Sequence, residues 1–310
     1  MDFQLNLNIL STFNSDDYQN KEYTFNNNIY NIIKYNKVNL KIYEKDNVEK
    51  FNTLSKYRSI IIRDNRVLVC SPGKSISYEN FKKNNESTDV MLEDFIDGTM
   101  INMFYDNINN VWEIATKSTV GGNIIFFNDI KNYSYFTEGG YKEKFENTTF
   151  RTMFFECCKF INLNLECLDK KYCYSFVMQH PFNRIVTPVV TPNLFLINIY
   201  SIDNSNFPNV MIKYINVNEY INSQPYPFLN TDIKIPNKYN LDSYENLELY
   251  YNNDNAPFGC VGTMIYNKYG CRSKIRNPNY EQVRKLRGNQ PKLQYNYLML
   301  KKKLGNKSDI

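Results

Sequence analysis

The stretch MLEDFIDGTMINMFYD, Met91 to Asp106, holds the phrase Phe95-Ile96-Asp97-Gly98-Thr99 between two apolar segments. Asp-Gly is a turn dipeptide, and the residues after it, TMINMFYDNINNVWEIATKS, read as strand, turn near 107–110, and strand. Working outward, SIIIRDNRVLVCSP repeats the design, with Ile60 to Ile62, a polar turn at Asp64-Asn65, and Val67 to Val69. Downstream, Phe150, Met153, Phe154, Cys157 and Ile161 fall at helical spacing in FENTTFRTMFFECCKFINLN, which predicts an amphipathic helix. CYSFVMQHPFNRIV predicts a strand running into a loop. GCVGTMIYNKYGCRSKIRNP predicts a further hairpin, and NYEQVRKLRGN and LQYNYLMLKKKLG two basic helices. Residues 1–56 mix short apolar runs with Asn-rich turns and give no clear element. Hairpins outnumber βαβ patterns, so the expectation is an α+β fold of antiparallel sheets with flanking helices, not a doubly wound one.

The bulk properties narrow the class. At 310 residues and 42% hydrophobic, the chain has ample length for a core. Seven cysteines, an odd number, point to a reducing compartment. Cys157, Cys158, Cys167 and Cys173 match no zinc spacing, and His180 is the only histidine, so no metal site is expected from them. The opening MDFQLNLNILSTFN lacks a signal-peptide pattern and no apolar run approaches membrane-spanning length, so no membrane partner is expected. The net charge of +5 is mild, but basic residues dominate 268–307, a distribution that suits phosphate chains.

In their order, these segments resemble the adenylyltransferase domain of RNA ligases of the phage RNA ligase 1 type, in a degenerate form like that of large DNA viruses. The resemblance runs from Arg58 to Arg276 and is carried by YRSIIIRDN, SPGK, FIDGT, WEIATKS, SFVMQHPFNRIV, FGCV and KIR. It implies a nucleotidyltransferase (ATP-grasp-like) fold over residues 1–276, followed by a basic helical segment over 277–310. In that family a lysine three residues before the glycine attacks the α-phosphate of ATP, with a divalent metal clamping the charge. Here Phe95 stands at that position. The resemblance also implies that two carboxylate positions are lost, to Val177 and Phe258. Phosphate-facing basic positions are kept at Arg58, Lys74, Lys117, Lys274 and Arg276, as is the Asp97-Gly98 turn. Lys274 and Arg276 alternate on one predicted strand, so both can face one groove.

Three functions stay open at this level. The first is a degenerate RNA-ligase-like domain that forms no lysyl-AMP and binds RNA, a nucleotide or a partner protein. The second is an active ligase or nucleotidyltransferase using ATP and Mg²⁺, with Lys117 or Lys74 replacing the nucleophile and carboxylates from Glu93 or Asp94. The third is a structural subunit bound to other viral proteins, its groove plugged by Phe95, Val177 and Phe258. In each, the expected place is the host cytoplasm or a virion. Arg284, Lys285, Arg287 and Lys292 are candidates for tracking an RNA backbone, with Tyr280, Tyr295 and Tyr297 available for stacking.

Overall fold

A computed structural model describes residues 2–124, 148–252, 256–288, 297–299 and 301–302. It is α+β, with three antiparallel sheets. The largest combines β1 (Phe3–Asn6), β7 (Thr99–Asp106), β8 (Val111–Ala115), β9 (Tyr172–Gln179), β10 (Asn193–Asp203) and β11 (Asn209–Ile215), in the order β1-β11-β10-β9-β7-β8. A second is the meander β2 (Tyr18–Phe25), β3 (Asn28–Tyr35), β4 (Arg58–Arg63), β5 (Arg66–Val69). The third has the order β12-β6-β13-β14, from β6 (Val90–Asp94), β12 (Lys238–Asn240), β13 (Gly262–Asn267) and β14 (Arg272–Arg276).

Turn chemistry sets the hairpins. Arg63 pairs with Arg66 across Asp64 and Asn65, both at positive φ (50° and 55°), the geometry whose twist suits a two-residue hairpin turn. Asn26 and Asn27 (φ 49° and 62°) do the same between β2 and β3, in the region where the sequence pattern shows no element. In that region α1 (Lys37–Asp46) and α2 (Val48–Leu54) also form, each started by an Asn side chain that accepts a backbone N–H.

Strand alternation then assembles the core. On β9, Tyr174, Phe176 and Met178 face α4 (Phe150–Phe160), joining Phe154, Met153 and Trp112 in one cluster. Cys173 points the other way, into a cluster with Ile32, Ile60, Val69 and Tyr200 that glues the six-stranded sheet to the meander. A strand covered on both faces is apolar at nearly every position, which is why β9 lacks polar alternation. Helix α4 follows the predicted stripe, and Thr149 and Thr152 cap it reciprocally, each side chain accepting the other's N–H. The Arg63 guanidinium is buried against the Asp106 carboxylate at 2.5 and 2.8 Å and donates also to Tyr30 Oη at 3.0 Å. The back of the third sheet packs Ile265 and Val90 on Phe81 of α3 (Tyr78–Lys83) and on Leu247 and Tyr251 of α6 (Tyr244–Asn252). The remaining helices are α5 (Val217–Ser223), against the first cluster, and α7 (Pro278–Arg287). Pro278 starts α7 at its first turn, where its missing N–H costs nothing. Among the described residues, no helix is long and apolar enough to cross a membrane.

Candidate anion-binding cleft

The front face of the third sheet is fixed by register. Arg276 pairs with Gly262, Lys274 with Met264, and Arg272 with Tyr266; Met264 then pairs with Glu93, and Tyr266 with Met91. Cross-strand partners share a face, so Arg272, Lys274 and Arg276 point forward with Glu93 and Tyr266, while Ser273 and Ile275 point back. This face looks onto the loop 70–76 and onto the end of the six-stranded sheet. A cavity of about 540 Å³ lies between them, lined by Phe51, Lys74, Glu93, Tyr200, Tyr266 and Arg272 among others.

Five cations cluster at this face, of which Lys74 and Arg272 line the cavity and Arg58, Lys274 and Arg276 lie beside them. Arg58 Nη1 donates to the Pro72 carbonyl at 3.3 Å, and Arg272 Nη2 donates to the same oxygen at 3.1 Å and also to Gly73 O. Lys74 Nζ donates to Ser75 O. Arg276 is ion-paired with Glu281 of α7. Lys274 lies over the Phe95 ring, its Nζ 5.7 Å from the centroid, and the Arg276 guanidinium sits 5.1 Å from the same ring. The aromatic face partly offsets those two charges. Burial pulls Lys274 down to about 7, helped by Arg276, Lys74, Arg58 and Arg272. Burial, then Arg272, lowers Arg58; burial also lowers Lys74, with Glu44 opposing and Arg58 and Arg272 adding to it. Glu93, 9% exposed, accepts a hydrogen bond from Tyr266 Oη at 3.2 Å, and burial raises its carboxyl.

Of the residues singled out from sequence, Lys74 lines the cavity, and Arg58, Lys274 and Arg276 cluster beside it. Lys117 borders it: its ammonium lies over the Tyr35 ring at 5.6 Å, and burial, then Arg58, Lys34 and Lys37, lower its pKa. Phe95 forms a wall with Val186, Val261 and Tyr280 behind it. Val177, 8% exposed, pairs with Met100 and Phe195 on the face of β9 opposite to Phe176. Phe258 differs from the expected plug. It is 48% exposed, at the surface in the turn before β13, and fills nothing.

Asp97 is engaged by the protein itself. Its Oδ2 accepts from Val186 N at 3.1 Å and Thr187 N at 2.9 Å, and its Oδ1 from Tyr280 Oη at 2.8 Å. It therefore staples the 185–187 loop and α7 behind the Phe95 wall. Gly98 is required by close approach: a Cβ there would stand 2.5 Å from Met178 O and 2.6 Å from Val177 Cγ1. Tyr280, expected among the stacking residues, is 3% exposed and spent on Asp97. Asn277 Nδ2 fixes the start of α7 by donating to Pro257 O and Cys260 O, each at 2.8 Å. Arg284, Lys285 and Arg287 lie in the last turn of α7, with Arg284 reaching Glu281 at 3.3 Å. Lys292 and Tyr295 lie outside the described residues. His180 is a buried loop residue whose Nδ1 accepts from Phe182 N at 3.2 Å. The sequence reading missed Arg272, although it lies two residues before Lys274 and continues the same alternation.

No family model matches the chain. Over 116 residues it is 31% identical to an RNA ligase of Rhodothermus phage RM378, a match covering 37% of this chain and 24% of that protein. The chain thus aligns with about a quarter of that relative's length. A putative ATP-dependent DNA ligase from Aquifex aeolicus superposes on 90% of this chain and 62% of its own, with a TM-score of 0.45 and 11% identity. The shared segment is homologous to part of a phage RNA ligase, and the superposition carries no further argument.

Proposed function

We propose that the chain is a ligase-like nucleotidyltransferase-fold domain that binds a nucleoside triphosphate in this cleft and forms no lysyl-nucleotide at position 95. One observation carries the reading. Lys74 and Arg272 line an aromatic-rich cavity of about 540 Å³, a volume that suits a nucleotide, and Arg58, Lys274 and Arg276 cluster beside these two. Polyphosphate oxygens replace the mutual repulsion of these groups with charge-assisted hydrogen bonds. Tyr266, Tyr200 and Phe51 offer apolar surface for a base, and Glu93 offers an acceptor for an exocyclic amine. The homologous segment of a phage RNA ligase supports the class. Phe95 has no nucleophilic atom, so covalent chemistry at that position is closed.

A 5′-phosphorylated RNA end presents similar phosphate chemistry. The chain of ion pairs Arg276–Glu281–Arg284 favours it as a second ligand, because it links the cleft to the basic turn of α7.

The test is equilibrium binding of ATP, adenosine and inorganic tripolyphosphate. ATP is expected to bind at least about tenfold more tightly than either part alone, and Arg272→Gln or Lys74→Gln to weaken it about tenfold, the worth of one charge-assisted contact. If neither part competes with ATP, the cleft is not where it binds. If none of the three binds at all, a scaffold role takes over.

A further inference from the structure

His180, the chain's only histidine, is 1% exposed just after β9 and does not line the cavity. Its Nδ1 accepts from Phe182 N at 3.2 Å and so starts the short helical turn Pro181–Asn183. A neutral imidazole has one accepting and one donating nitrogen, so the ring proton sits on Nε2. That nitrogen is buried and makes no hydrogen bond among the described residues. The carboxylate facing it is Glu156 of α4, half-exposed, with Oε2 at 3.5 Å. Also around the imidazole are the Phe182 ring, 5.1 Å between centroids, and Cys157 of α4, whose thiol donates to Gln179 O at 3.6 Å. The other charged groups nearby in the loop and its contacts are engaged elsewhere: Arg184 donates to Val186 O at 3.1 Å, and Asp97 accepts from Val186 N and Thr187 N.

The loop that His180 starts supports the Phe95 wall from behind. Asn183 Nδ2 donates to Thr99 Oγ1 at 2.7 Å, Val186 N and Thr187 N donate to Asp97 Oδ2, and Thr187 Oγ1 donates to Gly259 O at 2.9 Å. Val186 packs with Val261 and Tyr280, and Phe95 lies against them. A proton on Nδ1 turns the acceptor into a second donor, aimed at the Phe182 N–H. The bond is then lost, and a buried imidazolium has one half-exposed carboxylate to compensate it. Burial disfavours that charge more than Glu156 favours it, so the His180 pKa lies below the ordinary histidine value.

We infer that His180 is an acid-sensitive latch on this loop: a proton taken from solvent at Nδ1 breaks the bond from Phe182 N and releases residues 180–187 from the Asp97–Thr99 turn. The inference goes beyond the nucleotide reading and stands without it, since it concerns the frame behind Phe95. The closed loop excludes the proton and the released loop accepts it, so release is linked to protonation. The stability of the closed loop is fully present above the ordinary histidine value of about 6.5 and is lost as pH falls below it, until the lower pKa of the closed loop is passed. Between those two values the ratio of closed to released loop falls about tenfold per pH unit. Asp17 and Asp106, whose pKa values are lowered by their hydrogen-bond partners, release their own stabilisation only at more acid pH.

The experiment follows the full chain across about pH 5 to 8, the range in which histidine titrates. The single imidazole resonance gives the His180 midpoint, and amide exchange, corrected for its intrinsic pH dependence, gives the protection at Phe182, Val186 and Thr187. Amides of Tyr174 and Phe176 in β9 are the folding control. His180→Asn keeps an oxygen that accepts from Phe182 N, as Asn does at other helix starts, and it does not titrate. The expected result is a midpoint below about 6.5, with protection at the three amides lost on acidification by about tenfold for each unit of that displacement. His180→Asn should hold its protection across the whole range. A midpoint at or above the ordinary value overturns the inference, because Glu156 then keeps the imidazolium inside the closed loop. So does protection that is unchanged through the midpoint, or the same pH dependence in His180→Asn, which would assign the proton to Glu156 or Asp97. If His180→Asn does not fold, the equality of midpoint displacement and lost protection in the wild type decides the matter alone.

Discussion

The unpartnered amine of Lys274 makes anion binding to the cleft depend on pH, with a sign and size that follow from its position. In the free protein its pKa is about 7. An anion seated among Arg58, Lys74, Arg272 and Arg276 cancels the repulsion and returns the amine toward the ordinary lysine value of roughly 10. The complex then holds more protons than the free protein between those two values, so binding takes up a proton. Affinity is therefore fully present below the lower pKa and lost as pH rises above it. With about 7 in the free protein and about 10 in the complex, affinity falls about fivefold from about pH 7 to 8 and about eightfold more from about pH 8 to 9. Inorganic sulfate is the suitable probe, because its own charge is constant over this range whereas a polyphosphate titrates. Calorimetric titration in buffers of different ionisation enthalpy reads the proton uptake directly. Lys274→Arg should bind as tightly as the wild type does at low pH and lose most of the slope. Lys274→Gln should match the weaker, high-pH wild type. A flat wild-type profile would refute the reasoning, and so would an unchanged slope in Lys274→Arg, which would assign the proton uptake to Lys74 or Lys117, both also lowered by burial.

Three further outcomes test the frame around the cleft. Gly98→Ala should cost about 2–3 kcal/mol in thermal or urea unfolding, and adding Val177→Ala should recover only part of it, because the 2.5 Å contact is with a backbone oxygen. Asp97→Ala leaves Val186 N, Thr187 N and Tyr280 Oη without their acceptor; it should cost about 3 kcal/mol and speed amide exchange at 186 and 187. Arg63→Met strands the buried Asp106 carboxylate and should cost about 3–5 kcal/mol, whereas Arg63→Met with Asp106→Leu should be less destabilised than Arg63→Met alone. An equal loss in the double variant would mean that the 107–110 turn, which Asp106 also holds, carries most of the energy.

Elements whose folding is decided locally could be read directly. Asp64-Asn65 and 107–110 announce hairpins because their turn chemistry is written in adjacent residues, and α4 announces itself through a stripe that is buried in the structure. The first 56 residues resisted the same treatment for a physical reason. Strand β1 pairs with β11, about two hundred residues on, and the outer strand β2 has few buried positions to set a period. In the cleft, the alternation of Lys274 and Arg276 was legible, and Arg272 belonged to the same pattern. The roles of Asp97 and Tyr280 were not, because a carboxylate and a phenol joined across 183 residues leave no local trace. Phe258 shows the converse error: position in a motif said nothing about which way a turn residue faces.

The sequence by itself determined that this is an α+β chain built from hairpins, that position 95 has no nucleophilic atom, and that basic residues alternate on the last strand. Those properties belong to residue identity and to periods of two and of 3.6. Only the tertiary structure decided that five cations from β4, the loop after β5, and β14 cluster together beside a cavity lined by two of them, and that, among the described residues, four have hydrogen-bond or ion-pair partners while Lys274 faces only the Phe95 ring. Burial and the distances between charges on separate elements control that amine, and neither exists until the sheets have packed.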